Sequence, residues 1–272
     1  MNRGAVIAIV VLFVGAAGVI GWRESRRRAP PPAPAPKVAV APTPPPPPPP
    51  PPEAPAIRHP LPAAEKRGLP PLDHSDDFVK EGLVGLLGRK AVASFLRLEG
   101  AARRFVATLN NLATDQASAT LWPVNPTPGR FETEPQDGGL VISARNAERY
   151  TPFVRFADGI DAHRAVALYQ RLYPLLQSAY EDLGVPGKYL NDRVVEVIDN
   201  LLATPKVTGP IRVKRVGPDA GAGPGLYLYA DSALESATAG QKILLRMGPD
   251  NAAKLTAKLT ELRALIASGA HH

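Results

Sequence analysis

Nine consecutive prolines, Pro44 to Pro52, constrain this chain more than any other feature. A run without one amide N–H can join neither a helix nor a sheet ladder, and its fixed φ leaves it in polyproline II. The run sits inside a wider tract, since residues 29–68 hold 18 of the chain's 32 prolines. At about 3.1 Å per residue, such a tract makes a stiff spacer that reaches on the order of 100 Å. Polyproline also serves as a ligand for aromatic grooves, but a spacer is the preferred reading. The tract therefore separates whatever precedes it from whatever follows.

What precedes it is apolar. Gly4 to Trp22 reads GAVIAIVVLFVGAAGVIGW, nineteen residues without a charge. As a helix this is about 28 Å long, close to the thickness of a bilayer core, with Trp22 placed as an interfacial aromatic. Val14-Gly15-Ala16 resembles a signal-peptide cleavage site. The apolar run continues past it to Ile20, so a retained anchor contacting lipid through residues 4–22 is the preferred reading. Arg23, Arg26, Arg27 and Arg28 follow. By the positive-inside rule they would hold the rest of the chain in the cytoplasm. A long stiff tether is most useful where a domain stands off a membrane in an envelope, and the arginines could then lie on anionic headgroups. The two arguments conflict, and the outer face is the side chosen here.

Splitting the charge by region changes its meaning. Residues 1–68 carry 9 Lys+Arg against 3 Asp+Glu, whereas residues 69–272 carry 23 against 22. The basic pI thus belongs to the anchor and spacer. A nucleic-acid partner is not expected, because the basic face that phosphate binding needs is missing from the balance. The absence of cysteine removes disulfides, thiolate metal sites and cysteine nucleophiles, and leaves the compartment open.

Four regions result: an anchor with its Arg-rich flank (1–28), the spacer (29–68), a globular domain (69–268) and a short tail (269–272) that includes His271 and His272. The domain reads as mainly α, a compact helical unit with one or two small β-hairpins. Ser75 is placed to cap a helix ending at Gly88; short helices follow over 91–98 and after Gly100. Residues 121–131, LWPVNPTPGRF, are too proline-rich for a helix. Strands over 131–134 and 140–143 flank PQDGG as a hairpin, and a helix around 146–156 comes next. The long helical pattern from Asp161 to Leu183 contains Pro174, which predicts a kink or break. Another amphipathic helix spans 188–203. IRVKRV and GLYLYA (211–216 and 225–230) pair as strands. Ser232 and Glu235 suggest a capping box on a helix running to Met247. Gly248 then breaks it, and Pro249 opens the last helix, with Leu255, Leu259, Leu262 and Ile266 as its buried stripe.

Candidate chemistry is sparse. On YLNDRVVEVIDNLL (189–202), Asp192, Glu196 and Asp199 fall within an arc of about 60°. Grouped carboxylates can hold a cation or divide acid and base roles. Leu190, Val194, Val197, Ile198 and Leu201 lie opposite them, so a solvated face is the simpler reading. Asn191 is either the N-cap, the preferred choice, or a buried amide needing partners. Tyr169, Tyr173 and Tyr180 align as a core edge. Trp122 and Arg130 could form a recognition surface or belong to a structural loop. No histidine lies in a metal-ligand spacing, no common nucleophile motif is present, and no cofactor is expected.

The strings LPPLDHSD (69–76), LWPVNPTPGRF (121–131), YPLLQSAYEDLGVPGKYLNDRVVEVIDNLLATP (173–205) and AGQKILLRMGPDNAAKL (239–255) together resemble the bacterial family called domain of unknown function 3014, over residues 69–267. The resemblance implies a membrane-linked bacterial protein with an N-terminal segment and proline-rich spacer. It implies no activity and no catalytic residues. Two functions are compatible with the sequence. One is a non-enzymatic interaction or scaffold domain tethered to the inner membrane by a single pass and engaging an envelope protein. The other is an envelope-polymer hydrolase or ligand-binding protein using the carboxylates.

Overall fold

The computed structural model describes residues 56–62, 68–185, 187–216 and 226–268. The expected anchor, most of the spacer, the glycine-rich link at 217–225 and the terminal histidines lie outside these residues. Among the described residues no helix is long and apolar enough to cross a membrane.

Nine helices and one sheet make up the described chain: α1 (Asp76–Leu87), α2 (Arg89–Phe95), α3 (Ala101–Leu112), β1 (Thr133–Gln136), β2 (Gly139–Ile142), α4 (Arg145–Asp158), α5 (Ala162–Glu181), α6 (Leu190–Leu202), β3 (Arg212–Val216), β4 (Leu226–Tyr229), α7 (Ser232–Glu235), α8 (Ala239–Arg246) and α9 (Pro249–Ala267). The mainly helical expectation holds. The main core gathers the apolar stripes of α3, α5, α6 and α9, with α4 packed on α9. Leu109, Leu168, Leu172, Ile198, Leu255 and Leu259 are all fully buried there.

The two expected hairpins form, but they join into a single antiparallel sheet of order β1-β2-β3-β4. Leu140 pairs with Val213 across the junction, a long-range contact that no local pattern encodes. The first hairpin is tighter than expected. Asp137 (φ 47°) and Gly138 (φ 74°) both adopt the left-handed conformation, as a two-residue type I′ turn requires. Pro135 sits on the edge strand β1, where a missing donor costs no ladder bond. A small second core of Tyr229, Leu234 and Leu245 fixes the sheet to α7 and α8.

Several local expectations need correction. Ser75 occupies the N-cap position of α1 but does not cap it; its buried hydroxyl donates to the Leu72 carbonyl at 2.7 Å. α5 neither breaks nor ends at Pro174. Leu172, Tyr173, Leu175 and Leu176 are all buried around it, and this packing outweighs a penalty of about 3 kcal/mol. The helix expected from Ser232 to Met247 is two helices. Asp231 caps α7 by accepting from the Ala233 N–H. Glu235 accepts from the Tyr229 N–H at 2.7 Å and pairs with Lys242 at 2.9 Å rather than closing a box. The capping box is formed by Thr238 and Gln241, at the start of α8.

Candidate functional site

The start of α6 has an unusual division of labour. A helix begins with N–H groups that lack internal partners, and its N-cap, Tyr189, provides no side-chain cap. Two side chains of α5 substitute. Gln177 Oε1 accepts from the Leu190 N–H at 2.8 Å, and the Tyr173 hydroxyl accepts from the Asn191 N–H at 3.2 Å while donating to Gln177 Oε1 at 2.9 Å. Gln177 also donates to the Lys188 carbonyl at 2.8 Å, holding the preceding loop. With these amides satisfied from α5, Tyr189, Asn191 and Asp192 are available for something else.

They hold residues 58–61, the end of the segment that the sequence assigns to the spacer. Asp192 Oδ2 accepts from the Arg58 N–H at 3.0 Å, and Oδ1 from the His59 N–H at 2.7 Å. Asn191 Nδ2 donates to the His59 carbonyl at 2.8 Å. The Tyr189 hydroxyl accepts from the Leu61 N–H at 2.9 Å. Leu61 is half-buried against the main core. Pro60 and Pro62 have no N–H to satisfy, so every main-chain donor from Arg58 to Pro62 is taken by this strap site. A carboxylate accepting two successive amides makes charge-assisted bonds, and the positive end of α6 favours it further.

Asn191 is thus not the N-cap. It is fully buried, with one side of its amide on the strap and its Oδ1 without a protein partner. The Tyr169 hydroxyl, also fully buried, has none either. Behind the strap, Tyr169 meets Tyr173 edge to face with centroids 5.5 Å apart, and Tyr173 meets Tyr189 at a tilt of 52° with centroids 5.3 Å apart. Burial pushes the Tyr169 and Tyr173 hydroxyls well above the ordinary tyrosine range.

The three carboxylates of α6 share a face but not a task. Asp192 holds the strap. Glu196 is exposed and pairs with Arg193 at 2.9 Å. Asp199 forms a two-pronged contact with Arg263 of α9, its Oδ2 accepting from Nη2 at 2.9 Å. That contact holds the Asp199 carboxyl below the usual carboxylate range, and a smaller attraction from His59 of the strap acts the same way. Among the described residues no group of three or more His, Asp or Glu is arranged to hold a metal ion.

Trp122 and Arg130 are separated by burial. The Trp122 indole belongs to the main core and its Nε1 has no partner, whereas Arg130 is exposed. The loop between them is structural in its bonding. Leu96 and Val124 form an isolated antiparallel bridge, and Thr108 Oγ1 donates to the Leu121 carbonyl at 3.0 Å. Arg149 grips the Pro128 and Gly129 carbonyls at 3.0 and 3.1 Å.

Sequence reasoning missed the strap, its contact with Tyr189, and the α5 side chains Gln177 and Tyr173 that satisfy the first amides of α6. One signal was present: apolar Ile57 and Leu61 return after Pro55, ahead of the boundary drawn at residue 68.

No curated protein and no solved structure matches the chain. The profile of a family described as proteins of unknown function, DUF3014, matches residues 101–263, which include α3 through most of α9 and the whole carboxylate face of α6. The matched segment exceeds half of the chain, and the protein belongs to the DUF3014 family.

Proposed function

We propose that this protein is a single-pass protein of the bacterial inner membrane whose helical domain is a non-enzymatic interaction module. A polyproline spacer holds it off the bilayer on the outer face. The observation that carries the reading is the strap site. The best-directed polar chemistry on α6 is used to hold a bent, proline-flanked segment by its main chain, which is the chemistry of docking. The uncharged run at 4–22 and the proline tract supply the attachment.

Hydrolysis of an envelope polymer draws no comparable support. It needs carboxylates free to share one substrate, and Asp192, Glu196 and Asp199 each have a different partner.

Paired reporters fused to the C-terminus test the location. Activity of the reporter that works only outside the cytoplasm is the expected result, and activity of the cytoplasmic one overturns the placement. Crosslinking in intact membranes tests the module. The expected result is one discrete envelope protein whose crosslinks map to the helical domain. Repeated recovery of no protein partner overturns the interaction reading.

A further inference from the structure

We propose that the start of α6 is a peptide-binding site for bent, proline-punctuated segments, and that residues 58–62, with their bend at Arg58 and His59, are its resident ligand. The site takes the same class of segment from a partner protein when the strap leaves. The inference does not depend on the membrane placement.

The argument begins with the pattern of donors. The site accepts N–H groups at the first, second and fourth positions of Arg58-His59-Pro60-Leu61-Pro62, and the third and fifth are prolines, which carry none. Proline at those two positions leaves no donor stranded and stiffens the segment before it binds. An amide donor from Asn191 meets the second carbonyl, and the fourth side chain, Leu61, packs on the main core. The Arg58 side of the strap is exposed and His59 is half-buried. The recognised form is therefore two residues other than proline, then proline, an apolar residue and proline. It is read mainly through the backbone, so its sequence outside the prolines and the apolar position is loosely specified.

Two further observations mark the place as a site and not a simple crossing of chain over helix. Asn191 is fully buried with its amide on the strap, yet its Oδ1 has no protein partner. A buried polar atom without a partner calls for an explanation, and here it lies on the side chain that grips the strap. The α5 side chains Gln177 and Tyr173, not the strap, satisfy the first amides of α6. The first two amides of α6 keep their partners without the strap, so its departure does not strand them.

Asp76 provides an internal comparison. Its carboxylate also accepts from two successive main-chain amides, Gly100 at 2.8 Å and Ala101 at 3.2 Å. Those amides open α3 inside the fold, where the pairing is a cap. Asp192 makes the same two-pronged contact to a segment that enters from outside the helical core.

In the intact chain the strap is present at an effective concentration on the order of millimolar, as is usual for a ligand on a short linker. A free peptide should therefore bind the wild-type protein poorly. The test uses the full chain in detergent with His59→Pro and Leu61→Asp combined. Both changes lie on the strap and leave Tyr189, Asn191 and Asp192 unchanged. Hydrogen exchange at the Arg58 amide reports strap release, and fluorescence anisotropy follows a labelled peptide AIRHPLP added in trans. Release of the strap and saturable binding of AIRHPLP are expected. The permuted peptide AIRPHLP, which places proline where Asp192 needs an N–H, should bind negligibly. Adding Asp192→Ala should weaken AIRHPLP on the order of 100-fold, the loss of two charge-assisted bonds. The proposal is overturned if the freed site binds neither peptide, binds both equally, or keeps its affinity without Asp192. It is also overturned if the strap amide stays protected in the doubly substituted chain.

Discussion

Buried amides show how much of this fold depends on single polar side chains. Asn146 is fully buried and uses its whole functional group. Oδ1 accepts from the Glu132 N–H at 3.1 Å and Arg149 Nη1 at 3.0 Å, and Nδ2 donates to the Glu132 and Ser143 carbonyls at 2.5 and 3.0 Å. Asn146→Leu keeps the volume but strands the Glu132 N–H, while the Glu132 carbonyl retains the Ser143 N–H at 3.1 Å. At about 1–3 kcal/mol per unsatisfied group, the expected loss is about 1–3 kcal/mol. It should appear as a lower urea midpoint with an unchanged slope. Buried tyrosines set the alkaline limit. Burial pushes the Tyr229 hydroxyl up to about 12, and it donates to the Lys242 carbonyl at 2.8 Å; Tyr169 and Tyr173 are raised for the same reason. Raised folded-state values leave stability intact below the ordinary tyrosine pKa near 10, and remove it as pH climbs from there toward 12. Titration followed by tyrosinate absorbance and far-UV circular dichroism should show these three residues ionising together with unfolding. Sequence alone left Asn191 open between cap and core, because a single amide fits both. Asn146 and Asn251 gave no signal beyond a polar residue in an apolar pattern. Their partners lie on other segments, such as the Ala147 carbonyl that accepts from Asn251 at 2.8 Å.

The elements most legible in the sequence are those with a strong apolar stripe and clear punctuation. α3 follows Gly100 and buries Phe105, Val106, Leu109 and Leu112. α9 opens on Pro249 and buries Leu255, Leu259, Leu262 and Ile266. Legibility failed where two signals competed. Ser232–Glu235 and Thr238–Gln241 have the same spacing a few residues apart, and the use of Glu235 by Tyr229 and Lys242 leaves the capping box to the second. α8 shows why its position matters. Its first amide, that of Ala239, donates to the Thr114 carbonyl at 2.7 Å, just beyond α3. A Cβ on Gly240 would collide with the Leu201 side chain and lie 3.0 Å from the Leu112 carbonyl. The backbone cannot yield as a surface side chain does. Gly240→Ala should therefore destabilise the domain by about 1–3 kcal/mol despite the better helix propensity of alanine. Thermal denaturation would check this, with Gly88→Ala a poor control because its φ of 80° is strained for any side chain.

Across the whole molecule, the sequence separates a proline-rich tract from an apolar-patterned domain, because composition alone carries that distinction. It does not reveal that two hairpins share one sheet, since the pairing of Leu140 with Val213 joins segments about seventy residues apart. Nor does it reveal where the tract becomes attached. The strap meets α6, far along the chain from the first helix, and this has a mechanical consequence. A pull from the amino-terminal side loads the Arg58 bond first, then His59, then Leu61, so the three contacts fail in sequence like a zip. Once they part, residues 56–67 add up to about 40 Å of contour before tension reaches the helical core. Stretching single full-length molecules should show this small extension at low force, ahead of unfolding, and Asp192→Ala should abolish the step. The strap then acts as a fuse, giving way first and leaving the fold it protects unstrained.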